Sequence, residues 1–317
     1  SDVCSSDLRR VGFLTHEYYF WHDTGTYAGS YKPGQFIQAG KHWESPDSKR
    51  RFKSLVDVSS IKSDLIHIEP RPATDEELAR VHNPKHINRM RELSNNGGGL
   101  MGDDESVFGP YGFEIACLSA GGAIKAADSV YKGEVDVAYA LIRPPGHHAV
   151  RDHGMGYCMF NNIGVAIEYL RKTTPLKKFA VIDWDVHHGN GTQSVYYEDP
   201  NVLAISLHQD ELYPRHEGKV EEIGAGSGAG FNINVPIPAG SGDGAYRYAF
   251  EKVVRPAIER FKPEFIFVAS GFDASYYDQL SRMALHAYTY KWMAQETLKL
   301  ADKFSSGRVV ATHEGGY

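Results

Sequence analysis

Six short, mainly apolar runs punctuate this chain, at residues 10–14, 137–142, 179–182, 202–207, 265–269 and 308–311. Most break off into a turn rich in glycine, proline or charge. A strand that is polar on one face alternates; a run that is apolar on both faces suits a parallel sheet covered on both sides. Helix-like stretches lie between the runs, at 113–131, 162–172, 244–261 and 287–304. This alternation predicts an α/β fold, a doubly wound and mainly parallel sheet flanked by helices. No Pro/Ser-rich linker, composition break or internal repeat divides the chain. One domain is therefore expected from residue 10 to residue 317, with residues 1–9 (SDVCSSDLR) as a tail or scar outside the fold.

Bulk chemistry narrows the function. The chain is 42% hydrophobic and 23% charged with a formal net charge of −6, which argues against general nucleic-acid binding, since that favours a basic surface. A small-molecule or peptide partner, cationic if charged, fits better. No run of 18 apolar residues is present, so no membrane span is expected. Cys4, Cys117 and Cys158 form neither a CxxC pair nor an even framework, and point to a reducing, cytoplasmic setting. Association into a homo-oligomer is left open.

The strand ends carry the chemistry. Four runs end in reactive clusters: Ile142 before RPPGHH, Ile182 before DWDVHH, Ala269 before SGFD, and Val310 before ATHEGGY. Ligands of parallel α/β sheets bind outside the carboxyl ends of the strands, so the four should meet at one rim. In DWDVHH, continued alternation would turn Asp183, Asp185 and His187 to one side and His188 to the other. Asp and His two residues apart can hold one metal, with imidazole suiting zinc, iron, nickel or copper. A lone Asp-x-His is ordinarily a capped strand end; the density of donors here favours a metal. Asp273 is the best third ligand, although a strand-end aspartate is by itself most often a helix cap. His147 and His148, on a turn stiffened by two prolines, suit acid–base work beside a metal if Asp183 and Asn190 hold their other ring nitrogens. Tyr317, after two glycines, could donate to an oxygen that gains charge. The segments 224–230 and 95–99 are glycine-rich but lack phosphate-loop features. They read as a flexible turn leading into a strand and as a mobile loop.

RPPGHH, MGYCMFNN, DWDVHHGNGTQ, SLHQ, NINVP, SGFDA and EGGY occur in the order seen in the histone deacetylase family of the arginase/deacetylase fold. From about residue 10 onward the chain resembles that family, and WHDTGTYAG, DSKRRF and Asn190 resemble bacterial class II histone-deacetylase-like amidohydrolases. The resemblance implies a zinc-dependent amidohydrolase that removes acetyl or other acyl groups from N-acylated amines by metal-activated water. Asp185, His187 and Asp273 would hold a catalytic Zn²⁺. His148 would be base and then acid, with His147 as its electrostatic partner, Asn190 orienting His148, and Tyr317 polarising the amide carbonyl. Asp183 would pair with His147 and help hold a structural K⁺ with Ser206, Leu207 and the backbone of Asp185 and His187. A second K⁺ position near Tyr196, Asp199, Val202 and Phe231 is also implied. Gly156, Tyr157 and Tyr213 would line an acyl-lysine channel, with Asp103 at its rim.

Two features depart from the family pattern. Gly-Phe-Asp-Ala is usually followed by Asp-Pro-Leu, but here Ser275-Tyr276-Tyr277-Asp278-Gln279-Leu280 follows. The chain also ends at Tyr317, where relatives continue, so a truncated domain is expected, with its tyrosine on a frayed, unsupported terminus. Three other readings remain. An acetylpolyamine amidohydrolase would share the site. A catalytically impaired acyl-lysine or metal-binding member would need neither both histidines nor Tyr317. A binuclear-manganese ureohydrolase would need a further aspartate after Asp185-Val-His187, where His188-Gly189 stands instead.

Overall fold

A computed structural model of the chain describes residues 9–34 and 36–317. Residues 1–8, and with them Cys4 and nearly all of the expected tail, lie outside the described residues. The first strands are β1 (Val11–Leu14), β2 (Leu65–Ile68), β3 (Gly99–Leu100), β4 (Val107–Phe108) and β5 (Val137–Ala140). They are followed by β6 (Phe179–Asp183), β7 (Val202–Gln209), β8 (Asn232–Ile237), β9 (Phe265–Ser270) and β10 (Val309–His313). The helices of the first half are α1 (Asp47–Val58), α2 (Asp75–Ala79), α3 (Pro84–Asn95) and α4 (Gly112–Tyr131). Those of the second half are α5 (Asn162–Thr173), α6 (Asn190–Tyr196), α7 (Asp243–Ala249), α8 (Arg255–Phe261) and α9 (Ala287–Phe304).

Eight strands form one sheet in the order β2-β1-β5-β10-β9-β6-β7-β8, and each neighbouring pair is parallel. The short strands β3 and β4 pair separately and antiparallel. Every residue of β6, β7 and β9 is buried, as strands apolar on both faces require. Successive side chains of a strand point to opposite faces, and the two faces fill different cores. Phe179, Val181, Phe265, Phe267 and Val310 pack with α4 and α5. Ala180, Ile182, Ile266, Val268 and Val309 pack with α7, α8 and α9. Each large side chain so buried contributes roughly 1.5–3 kcal/mol of transfer free energy.

The order of the strands places the site. The four runs that end in reactive clusters are β5, β10, β9 and β6, the four adjacent strands at the centre of the sheet. Their C-terminal residues are in register, Thr312 beside Ala140, His313 beside Ser270, and Asp183 beside Ala269. Segments far apart in the chain thus leave the sheet side by side.

Two local expectations are corrected. The helix expected at 244–261 is interrupted by a wide, π-type turn at Phe250–Val254 between α7 and α8. Pro256 follows at once; it has no N–H to give and crowds the carbonyl four residues back, and a widened turn relieves both. The glycine-rich stretch 95–99 is a tight connection from α3 into β3. Gly98 donates to Leu93 O at 2.8 Å. At its φ of +106°, a Cβ would come within 2.0 Å of Phe108 O.

Candidate active site

Strand β6 ends at Asp183, and the chain then turns so that Asp185 and His187 face the loop after β9. The Nδ1 atom of His187 lies 3.0 Å from Asp185 Oδ1 and 3.1 Å from Asp273 Oδ2. One donor atom from each residue lies within 4.8 Å of the others, and all three side chains are buried. Backbone amides fix the carboxylates: Val186 N donates to Asp273 Oδ1 at 2.8 Å, and Gly315 N to Asp185 Oδ2 at 2.7 Å. Burial and the charge of Asp185 push the Asp273 carboxyl up to about 7, against the pull of His187. Burial opposes a charged His187, yet hydrogen bonds to Asp185 and Asp273 outweigh it and raise the imidazole to about 10. Two carboxylates and an imidazole converging in a dry interior are short of positive charge. A divalent cation suits that donor set, with two oxygens and one nitrogen already gathered.

The histidine pair stands beside this triad, its rings 3.9 Å apart centre to centre. The turn that carries it is anchored by Arg143, fully buried. Its guanidinium donates from Nε to Glu44 Oε1 at 2.9 Å and lies 2.7 Å from Glu44 Oε2. His147 Nδ1 lies 2.9 Å from Asp183 Oδ2, and His148 Nδ1 lies 2.7 Å from Asn190 Oδ1. An amide oxygen can only accept, so His148 carries its proton on Nδ1 and keeps a lone pair on Nε2. Burial disfavours charge on His147, but Asp185 and Asp183 override it and raise the ring to about 10. For His148, burial and then the charges of His147 and His187 act together and hold it well below the usual histidine range. The surroundings thus push the two imidazoles in opposite directions, His147 toward holding a proton and His148 toward losing it.

A cleft of about 140 Å³ opens above the triad, lined by His148, His187, Gly156, Tyr157, Tyr213 and Tyr317 together with Trp43 and Leu280. At a φ of +54°, Gly156 lies so close to His148 that a Cβ would fall 2.3 Å from its Cδ2. Asp103 accepts from Gly156 N at 2.8 Å, Tyr213 OH at 3.2 Å, Ser106 Oγ at 2.9 Å, Ser106 N at 2.6 Å and Glu105 N at 3.1 Å. The carboxylate at the rim is thus saturated by the channel walls. Asp183 lies in register with Ser206 of β7, and Ser206 Oγ accepts from Gly189 N at 3.2 Å. Leu207 follows, fully buried in β7. His188 turns away from the triad and packs its ring 4.8 Å from that of His208 at a tilt of 51°, with Nε2 3.1 Å from Gln193 Oε1.

The expectation of an unsupported Tyr317 is corrected. Gly316 O accepts from Ser48 Oγ at 2.7 Å and Lys49 Nζ at 3.3 Å, and Tyr317 N donates to Asp278 Oδ2 at 2.7 Å. The Lys49 ammonium also sits 4.8 Å from the centre of the Tyr317 ring. Helix α1 and the loop after β9 together supply the packing. Sequence reasoning missed these partners, and it missed Glu314, whose buried carboxylate accepts from Gly146 N at 2.7 Å and His147 N at 3.1 Å. The EGGY motif contained that signal without revealing its partner.

A parallel sheet of this order carries a buried Asp-His-Asp group and a paired-histidine turn at its central strand ends, the arrangement of a hydrolase site. Residues 42–317 match the histone deacetylase domain, and the chain belongs to that family. It is 47% identical over 312 residues to a histone deacetylase-like amidohydrolase of Pseudomonas aeruginosa, covering 98% of this chain and 82% of the relative. A probable deacetylase of Archaeoglobus fulgidus is 37% identical over 286 residues, covering 87% of this chain and 78% of that protein. The crystal structure of the HDA15 HD domain superposes with a TM-score of 0.87 at 31% identity, over 98% of this chain and 83% of that one. The fold is that of a hydrolytic deacetylase, with the doubly wound parallel sheet expected from the sequence. Among the described residues no helix is long and apolar enough to cross a membrane.

Proposed function

We propose that the chain is a zinc-dependent deacylase of N-acylated amines, of acetyl-lysine type. The observation that carries this reading is geometric: a buried three-donor set, a histidine pair beside it, and a cleft above it lined by His148, His187 and Tyr317. Asp185, His187 and Asp273 would hold the zinc, which when bound supplies Lewis acidity toward the amide carbonyl and the attacking water. His148 Nε2 accepts the water's proton; its neutral state and Asn190 on the other nitrogen prepare it for that step. His147, oriented by Asp183 at 2.9 Å, stands beside His148 as its electrostatic partner. Tyr317 OH donates to the carbonyl oxygen as that atom gains charge. His148 then returns its proton to the leaving amine nitrogen, and carboxylate and free amine depart. The apolar walls at Tyr157, Tyr213 and Leu280 suit a narrow alkyl chain. Asp183, Ser206 and Leu207 would frame a structural K⁺ behind the site.

The test is an assay of purified protein with acetyl-lysine peptide and acetylputrescine, alongside metal analysis. About one zinc per chain and hydrolysis of the peptide are expected, and Asp185→Ala is expected to lose both. Preferential hydrolysis of acetylputrescine would make it an acetylpolyamine amidohydrolase. Two manganese ions per chain and no zinc would refute the reading.

A further inference from the structure

The peptide unit between Gly316 and Tyr317 is held at both poles by residues that no part of the zinc-deacylase reading uses. Its carbonyl accepts from Ser48 Oγ at 2.7 Å and Lys49 Nζ at 3.3 Å, while its N–H donates to Asp278 Oδ2 at 2.7 Å. The other Asp278 oxygen accepts from Leu280 N at 2.9 Å. Leu280 and Tyr317 both line the cleft, so one carboxylate fastens two of its walls. Gly316, at a φ of +126°, lets the chain turn sharply just before this unit, in a region that other residues rarely enter. A peptide is planar. Pinning both its poles fixes the plane, and with it the position of the Tyr317 Cα from which the side chain departs.

We infer that Asp278 is a positioning residue: it accepts the Tyr317 N–H so that the phenol is aimed into the cleft, and its other oxygen holds Leu280 in the same lining. The inference rests on the deacylase reading for its kinetic consequence, but the anchor itself can be measured without activity. It also gives the departure after Asp273 a role, since the stretch Ser275–Leu280 keeps the carboxylate that reaches Tyr317 although Gln279 replaces the usual proline.

The experiment compares wild type, Asp278→Asn and Asp278→Ala. Exchange of the Tyr317 amide proton is followed by NMR in metal-free, ¹⁵N-tyrosine-labelled protein, and steady-state kinetics are measured on the zinc-loaded enzyme. An asparagine can accept only one of the two N–H groups and presents its own NH₂ to the other. Amide exchange at Tyr317 should therefore accelerate at least about tenfold in both variants. The kcat should fall at least about tenfold with KM within about twofold, the signature of an interaction made only in the transition state. In a Tyr317→Phe background, Asp278→Asn should change kcat by less than about twofold, because the two residues act as a unit. Ser48→Ala, which removes the shorter of the two hydrogen bonds at the other pole and leaves Lys49 there, should show the same dependence on Tyr317 and serves if both Asp278 variants fail to fold.

Unchanged Tyr317 exchange in the variants overturns the inference, and so does a kcat loss of equal size with and without the Tyr317 hydroxyl. If wild type fails to hydrolyse acetyl-lysine peptide, the deacylase reading falls, and the exchange measurement alone decides whether Asp278 anchors Tyr317.

Discussion

At Gly315 a single methyl group decides whether the triad can exist. A Cβ there would lie 2.1 Å from Asp273 Oδ2 and 2.6 Å from Asp185 Oδ2, and its own amide holds the latter oxygen. Gly315→Ala is therefore expected to reduce bound metal below about a tenth of the wild-type content, because the added atom overlaps the two carboxylates where they meet. Metal content per chain equal to wild type would contradict it. The histidines and the tyrosine should behave differently, since none belongs to the triad. His148→Ala should keep its metal and lose roughly 10²–10⁴ in kcat, the range of a missing general base. Tyr317→Phe should lose roughly 10²–10³ with metal retained, the cost of one missing oxyanion donor. Metal analysis and kinetics on the same samples separate the two kinds of residue; loss of metal in either variant would show that it supports the triad instead.

Helix α9 shows how an element can depend on a residue far away in the chain. Asp243, at the start of α7, caps it from outside by accepting the N–H of His286, the residue just before the helix, together with side chains of its first turn. Asp243 accepts from His286 N at 3.0 Å, Thr289 Oγ1 at 2.6 Å and Tyr288 OH at 2.7 Å. Burial works against this carboxylate, but the hydrogen bonds from His286, Thr289 and Tyr288 outweigh it and hold its pKa below the usual carboxylate range. A folded pKa below the unfolded value of about 3.9 means that the stabilisation is fully present above that value and is lost as pH falls through the folded one. Asp243→Ala should cost about 1–2 kcal/mol at pH 7, by loss of a cap. The gap between variant and wild type should close only below about pH 4 in urea unfolding; a gap that closes near pH 6 would assign it to His286 instead. No sequence pattern announced this cap, because capping rules look to the residues next to the helix. Strands β6, β7 and β9 were legible because burial on both faces leaves a continuous apolar run. Helix α1, with Lys49, Arg50, Arg51 and Lys53 along it, was not predicted, since its charged residues obscure its period. The triad and the histidine pair were legible because each lies within a few residues of a strand end. Glu44, Lys49, Asp278 and Glu314 were not, since their partners are set by packing between distant segments.

Across the whole molecule, the site is a seam. Strand order brings β5, β10, β9 and β6 together, and no sequence rule supplies that order; only the tendency of strand ends to gather at one rim could be anticipated. The loops after β6 and β9 carry the Asp185, His187 and Asp273 donors, and Gly315, just beyond β10, holds one of them. An ion bound there would tie three strand ends, and both cores lie directly beneath, since β6 and β9 supply side chains to each. Without an ion the two buried carboxylates are held by His187 and by the backbone amides of Val186 and Gly315. Metal removal should consequently destabilise the whole chain. A ligand that binds only the folded state adds RT ln(1 + [L]/Kd), about 4 kcal/mol at a thousandfold excess over Kd. For a chain of 317 residues, a kcal/mol moves the unfolding midpoint by roughly 2 °C. Chelation followed by dialysis should lower the calorimetric midpoint by several degrees, and stoichiometric zinc should restore it. The Asp185→Ala protein should show neither change. A midpoint indifferent to chelation in the wild type would mean that the seam is closed by protein contacts alone, such as the hydrogen bonds of His187 to Asp185 and Asp273.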